Sequence, residues 1–367
     1  MRVLFLAWRD VEHPEAGGSE RYVQAIAESL IARGHEVTVR SARPRGLPRR
    51  DTINGVAHER AGGRLGVFPR GFLRAMREER STALVDVING VPFAAGFLPG
   101  RSVVALVHHV HKTQWKLIYP GPKGHLGWFL ESWLAPRSAR RHRVVTVSEA
   151  SRRDLVQLGY RDERITVVRN SAPGPCQRDA GPAKDPMRLV VLARLVPHKQ
   201  VHHALLTVQQ LAPGFPALTL DVVGDGWSRS ALEAMARDLG IDERVNFHGQ
   251  VTEAEKERVL DHAALMLMPS AKEGWGLVVT EAGQHAVPSI GYRSSGGLKE
   301  SIRDGVTGWL VDSLEELVLT TASALRDPAE VSRRGHAAKA YAAELEGSDR
   351  VGEFETVLRS EFTGRRR

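Results

Sequence analysis

Cysteine is nearly missing. The chain of 367 residues has one, Cys176, which excludes a disulfide framework and a cysteine-based zinc cluster. No apolar run approaches the roughly 18–20 residues of a membrane span. The opening MRVLFLAWRD places six residues between its charges, fewer than the roughly 7–15 apolar residues of an export signal, so a cytoplasmic protein is expected. Gly-x-Gly-x-x-Gly does not follow the first apolar run directly; the glycines there, AGGSE, come well downstream. That weakens a dinucleotide-dependent oxidoreductase. Lysine is scarce too, nine of 51 basic residues.

What is present is a lopsided charge. The net charge is +8, but residues 1–170 carry 28 Lys and Arg against 16 Asp and Glu, and the remainder 23 against 27. Arginine-rich usage can reflect genomic base content alone. The asymmetry makes the first half attractive to anions, whether acidic ligands, anionic lipid or nucleic acid. No recognised nucleic-acid-binding motif is present.

Short apolar runs alternate with amphipathic stretches. Val3–Ala7 reads as a buried strand, Glu20–Ala32 as a helix stopped by Gly34, and His35–Arg40 as the next strand. Further runs lie at Leu84–Ile88, Val103–Val107, Val144–Val147 and Ile165–Val168. SAPGPCQRDAGPAKDP, residues 171–186, has almost no apolar periodicity and reads as a linker. Beyond it the alternation restarts, with strands at Leu189–Ala193, Leu218–Val223, Val245–His248 and Leu265–Met268, and helices near Val201–Leu211, Ser228–Leu239, Glu253–His262 and Leu277–Ala286. Such alternation implies parallel sheets covered by helices on both faces. The expected fold is α/β, two doubly wound Rossmann-like domains facing across a cleft. Residues 1–172 and 187–345 form the domains and 173–186 the linker, with a helix near 348–363 returning to the first.

Open parallel sheets bind ligands beyond the carboxyl ends of their strands. Gly17, Gly18, His108, Ser148, Asn170, Arg194, Gly224 and Glu273 all follow closely on a predicted strand, which points to a ligand held between the domains. The sharpest pattern is EGWGLVVTEA, with Glu273 in a loop and Glu281 about one turn into a helix that starts at Gly276-Leu277. Amide groups at such a start attract anions, and carboxylates accept hydrogen bonds from vicinal hydroxyls. A surface loop before an ordinary buried helix would read the same way. In ARLVPHKQ, Arg194 and Lys199 flank a strand-to-helix loop and can converge on one diphosphate; two solvated cations are the plain alternative.

Taken in order, AGGSER, VHHVH, TVSEASRRDL, VVRNS, ARLVPHK, DVVGDG, VNFHGQV and EGWGLVVTEAG resemble the retaining GT-B glycosyltransferases of family 4, from Val3 to about Val311. The resemblance implies that Arg194 and Lys199 neutralise a leaving diphosphate, that Glu281 holds the nucleotide ribose, and that Glu273 contacts the transferred sugar. Gly17 and Gly18 match a loop closing over the donor phosphates; Gly276, Leu277 and Val278, at the anion-attracting helix start, are expected to bind the donor as well. His108 matches an active-site histidine, Gly249 to Val251 the base-binding loop, and Gly224 with Asp225 the neighbouring turn. Three positions depart where the family favours glycine: Ala193, Gln200 and Ser171.

The implied activity is retaining transfer of a hexose-type sugar from a nucleotide diphosphate sugar, UDP before GDP, to an acceptor hydroxyl, with no other cofactor. Asp-x-Asp, the usual magnesium-holding element of the other large glycosyltransferase fold, is missing, so cationic side chains and amides must stabilise the diphosphate. His108, His109 and His111 invite a metal reading, but a strand would turn 108 away from 109 and 111, and no metal is expected. The acceptor is expected to be lipid-linked or anionic, with contact at the inner face of a membrane and no nucleic acid. Two segments suggest this: Phe72, Leu73 and Met76 beside Arg70, Arg74 and Arg77, and Trp115, Trp128, Phe129, Trp133 and Leu134 beside Arg137, Arg140, Arg141 and Arg143. Core packing beneath a solvated face is the alternative. Another GT-B enzyme, an epimerase or phosphorylase, and a non-catalytic nucleotide-sugar-binding module remain rival readings.

Overall fold

The computed structural model describes residues 1–112, 115, 119, 121–170 and 183–363. Cys176 and most of the predicted linker lie outside them, as does Ser171. The chain divides into two compact units, Met1–Asn170 with Asp349–Arg367, and Ser171–Ser348.

The first unit is built on an eight-stranded sheet. Its strands are β1 (Arg2–Leu6), β2 (Glu36–Ser41), β3 (Arg50–Ile53), β4 (Val56–Arg60), β5 (Ala83–Ile88), β6 (Val103–Val107), β7 (Arg143–Thr146) and β8 (Ile165–Val167). They lie in the order β3-β4-β2-β1-β5-β6-β7-β8. All pairs are parallel except β3 with β4. The central strands are almost wholly apolar because helices cover both faces. Those helices include α1 (Gly18–Ala32), α2 (Val67–Met76), α3 (Pro122–Phe129), α4 (Ala135–Ala139) and α5 (Glu149–Gln157), with a π-helical turn at Leu130–Leu134 joining α3 to α4. The β3–β4 hairpin is an addition to the sequence reading. Its turn is Asn54-Gly55, both at positive φ (48° and 81°), the dipeptide that such two-residue turns favour.

The second unit is a six-stranded, wholly parallel sheet in the order β11-β10-β9-β12-β13-β14. The strands are β9 (Asp185–Leu192), β10 (Thr219–Val223), β11 (Val245–Gly249), β12 (Ala263–Met268), β13 (Ser289–Tyr292) and β14 (Gly308–Val311). β9 therefore begins inside the predicted linker. Its helices are α6 (Val201–Leu211), α7 (Arg229–Asp238), α8 (Glu253–His262), α9 (Leu277–Gln284), α10 (Leu298–Ser301), α11 (Leu314–Arg326) and α12 (Pro328–Gly347). In α6, Val201, Ala204, Leu205, Val208 and Leu211 recur at helical spacing, and all are buried.

The last helix, α13 (Arg350–Thr363), packs on the first unit's sheet. Phe354 stacks on Phe5 with centroids 6.1 Å apart. Val357 and Leu358 join Val3, Val85, Leu106 and Val145 in one buried cluster. Glu361 pins the far end, 3.0 Å from His142 Nδ1 and accepting from the Arg143 amide at 3.2 Å. Each fully buried apolar side chain contributes about 1.5–3 kcal/mol, so α13 belongs to that core as firmly as the strands do.

Candidate functional site

In the second unit the strand order reverses between β9 and β12, and loops leaving such neighbouring strands open a crevice. Arg194 and Lys199 follow β9, and Glu273 follows β12. The structure brings two of them together: Lys199 Nζ lies 2.5 Å from Glu273 Oε1, both largely shielded from water. Arg194, in the same loop, is exposed. Lys199 ends a 3-10 turn, Pro197–Lys199, and Gln200 then adopts φ 47°, ψ 37° before α6 begins. A side chain in that left-handed region costs roughly 1–2 kcal/mol. Glycine, which the resemblance leads one to expect at this position, adopts that conformation freely, whereas Gln200 carries the strain.

Three glycines let the loops pack this closely. Gly224 sits at φ 123°, and a Cβ there would meet the Ala193 carbonyl oxygen at 2.0 Å; one on Gly226 would meet the Leu195 carbonyl oxygen at 2.4 Å. The Leu195 amide donates to the Asp225 carbonyl at 2.9 Å, and the Gly224 amide to the Gly249 carbonyl at 2.9 Å. The β9 loop, the Gly224-Asp225 turn and the predicted base-binding loop are therefore one hydrogen-bonded surface. The Asp225 carboxylate pairs with Arg229 at 3.5 Å. Gly276, at φ 88°, caps α9, whose first residues are Leu277 and Val278. Glu273 is fixed by its own backbone: its amide donates to the Ser295 carbonyl at 2.7 Å, and its carbonyl accepts from the Gly297 amide at 3.0 Å.

Glu281 is buried on α9 and carries a partner that the sequence reading missed. Lys256 on α8 donates to Glu281 Oε2 at 2.7 Å. Val251 is half-buried and packs against an apolar cluster that includes Val259 of α8 and Val279 of α9, and Thr252 caps α8, accepting from the Glu255 amide at 3.3 Å.

In the first unit the sheet reverses between β1 and β5. Gly17 and Gly18 stand at the start of α1, where Glu20 accepts from the Gly17 amide at 2.8 Å and from Ser19 Oγ at 2.9 Å. Asn89, just past β5, donates to Ser19 Oγ at 3.3 Å. Buried Arg9 reaches Glu20 at 3.3 Å. β6 ends at Val107, so the histidines occupy the loop beyond it and not a strand. Their divergence survives for another reason: the His109 and His111 rings lie 4.2 Å apart, while His108 meets Tyr22 edge-on at 5.1 Å. His111 Nδ1 lies 2.8 Å from buried Glu131. Burial lowers the His108 pKa to about 4, so its ring is neutral near pH 7, and its Nε2 has no hydrogen-bond partner among the described residues. Ser148 serves α5 as its cap, accepting from the Ser151 amide at 3.0 Å. Asn170 is buried, and its Oδ1 has no hydrogen-bond partner among the described residues. Among the described residues no cluster of His, Cys, Asp or Glu could hold a metal ion.

The two basic amphipathic segments are only partly as read. Phe72 packs inward, while Leu73 and Met76 are exposed; Arg74 is tied to Glu59 and Glu78. Trp128 packs inward, while Leu126, Phe129 and Trp133 are exposed. Phe129 stacks on Trp133 at 5.0 Å, and Arg137 covers the Trp133 ring at 4.0 Å. No helix among the described residues is long and apolar enough to cross a membrane.

Two family models match the chain, glycosyltransferase family 4 over residues 16–172 and glycosyl transferases group 1 over residues 177–341. A glycogen synthase of Mycobacterium tuberculosis (strain H37Rv) is 28% identical, the alignment covering 92% of this chain and 89% of that protein. The GDP-mannose-dependent alpha-(1-6)-phosphatidylinositol monomannoside mannosyltransferase of Mycolicibacterium smegmatis is 33% identical over 42% of each chain. Among solved structures, Anabaena HepE in complex with UDP and glucose has a TM-score of 0.73 at 19% identity, covering 98% of this chain and 100% of that one.

Proposed function

Because the chain belongs to the group 1, family 4 glycosyltransferases of the GT-B fold, we propose that it moves a hexose-type sugar from a nucleotide diphosphate sugar to an acceptor hydroxyl, with retained anomeric configuration and without metal. UDP is the favoured nucleotide, supported by the UDP bound to HepE. GDP is second, supported by the GDP-mannose dependence of the mannosyltransferase. The observation that carries the reading is the Lys199–Glu273 contact at the strand reversal, where a cation for phosphate and a carboxylate for hydroxyls stand side by side.

Lys199 and Arg194 meet the charge that grows on the leaving diphosphate, and the Leu277 and Val278 amides add the positive end of α9. Glu273, released by Lys199 when phosphate takes its place, accepts from sugar hydroxyls. Glu281 accepts from the ribose, the backbone of Gly249 to Val251 holds the base, and Gly224 with Asp225 shapes the turn beside them. From the first unit, the Gly17-Gly18 loop is assigned to the donor phosphates, and the neutral Nε2 of His108, without a partner among the described residues, to a sugar hydroxyl. The bond from sugar C1 to diphosphate oxygen breaks as the acceptor oxygen bonds C1 on the same face. The acceptor proton passes to the departing phosphate.

Thermal shift tests this reading. In EDTA, UDP or GDP should raise the melting temperature, since a ligand at a hundred times its dissociation constant stabilises by about 2.7 kcal/mol. Sugar transfer from the matching donor should persist in EDTA. No shift with any nucleoside diphosphate, or activity abolished by EDTA, would overturn it.

The acceptor is proposed to be lipid-linked, met at the inner face of a membrane. Exposed Leu73, Met76, Phe97, Phe129 and Trp133 lie on α2, the turn Ala95–Phe97 that it contacts, the end of α3 and the π-helical turn, elements linked by direct contact through α4. Exposed Arg70 and Arg77 lie on and just past α2, and exposed Arg137, Arg140 and Arg141 on and just past α4, with Arg137 over the Trp133 ring. Exposed apolar side chains and cations carried on the same elements suit an anionic lipid surface. The protein should float with vesicles containing phosphatidylglycerol at low salt and not with phosphatidylcholine alone; failure to float at low salt removes the membrane.

A further inference from the structure

Helix α8 opens EAEKER, a run that would suit a helix face in water. Lys256 is nevertheless 8% exposed. Its ammonium lies 2.7 Å from Glu281 Oε2 and 2.6 Å from Glu253 Oε2. A lysine one turn into a helix ordinarily extends its stem along the surface and keeps its charge in water. Here the charge is turned inward, onto a carboxylate that is itself buried, while Glu253 stays largely exposed.

Burying an ion pair gains little stability over an apolar pair of similar volume. What it does give is direction. A glutamate side chain has three rotatable bonds, and an ammonium fixed on a helix holds one of its oxygens in place. α8 also follows directly on the loop Gly249 to Val251, so one element joins the segment assigned to the base with the side chain assigned to the ribose.

We propose that Lys256 is a positioning residue of the donor-nucleotide site, anchoring Glu281 Oε2 so that the carboxylate stands ready for ribose hydroxyls before nucleotide arrives. This rests on the reading of Glu281 as the ribose-holding residue. Preorganisation of this kind raises affinity by removing an ordering cost from binding. Lys256 acts through Glu281, and Glu253 is an outer partner whose loss should matter little.

The test is a double-mutant cycle read by calorimetric titration with UDP and with GDP, alongside donor KM and kcat. Lys256→Met should weaken binding of the preferred nucleotide by about tenfold and raise donor KM more than it lowers kcat, with Lys256→Arg recovering part of the loss. In a Glu281→Gln background, Lys256→Met should cost less than about twofold further, the non-additivity of residues that act as a unit. Wild-type affinity in Lys256→Met, or losses that multiply in the double variant, would overturn the proposal. If Lys256→Met does not fold, Lys256→Gln, which keeps most of the stem and a donor, is held to the same two criteria. If Glu281→Gln itself leaves affinity for both nucleotides unchanged, the ribose assignment fails; if it weakens binding and Lys256→Met does not, only the role of Lys256 fails.

Discussion

Lys199→Ala is expected to lower kcat/KM for sugar transfer by at least about 10²–10³, the loss typical of removing one preorganised donor from developing negative charge. Two effects add. The diphosphate loses a cation, and Glu273 loses the partner 2.5 Å away. Glu273 would then present an uncompensated carboxylate where phosphate must sit, and like charges close together in a shielded site repel strongly. Lys199→Arg should recover part of the rate, because it restores charge with altered reach. Steady-state kinetics with circular dichroism on each variant decides the matter, and a wild-type rate in a folded Lys199→Ala protein would refute the assignment.

Glu281→Ala should be nearly as damaging and should fail differently. A hydrogen bond to a charged group contributes about 1.5–3 kcal/mol, and the ribose offers two vicinal hydroxyls. Donor KM should rise by roughly 10²-fold or more, with the catalytic step less affected than in Lys199→Ala. Stability should fall as well, because Lys256 is left buried with the largely exposed Glu253 as its one remaining carboxylate among the described residues; an ion pair broken from one side costs more than it contributed. Nucleotide titration separates the two variants. Undiminished UDP and GDP affinity in Glu281→Ala would remove this residue from the site.

The parallel core was legible because it is written locally. A strand buried on both faces, such as Val103–Val107, is a continuous apolar run, and α6 announces itself by spacing alone. The β3–β4 hairpin had its signal in Asn54-Gly55, but its strands, RDTI and VAHER, are short and polar. β13 and β14 are four residues each, too short for periodicity to separate from a turn. The apolar run Val103–Val107 marks β6 to its last residue; the histidines beyond it would diverge by alternation only on a continued strand, and they diverge in a loop instead.

At the site, the glutamates and the Arg-Lys pair were readable as residue types at fixed spacing. Their pairing was not. Lys199 and Glu273 are 74 positions apart, Lys256 and Glu281 are 25, and nothing local couples them. Lys256 was hidden most completely, since a lysine among glutamates on a helix looks like solvated surface, and only the packing of α8 on β9, which brings it to Glu281, turns it inward. Ser148 and the Gly17 amide, by contrast, were readable as loop residues near strand ends, yet each is engaged in capping a helix.

The return of α13 to the first sheet has a consequence for how the protein is made. Phe354, Val357 and Leu358 complete a core begun at Val3 and Phe5, yet all of Ser171–Ser348 is synthesised in between. At typical elongation rates that interval lasts about 10–40 s. Throughout it, the apolar face awaiting α13 stands uncovered on the ribosome, open to chaperones and to neighbouring nascent chains. The half of the molecule that emerges first is the half that finishes folding last.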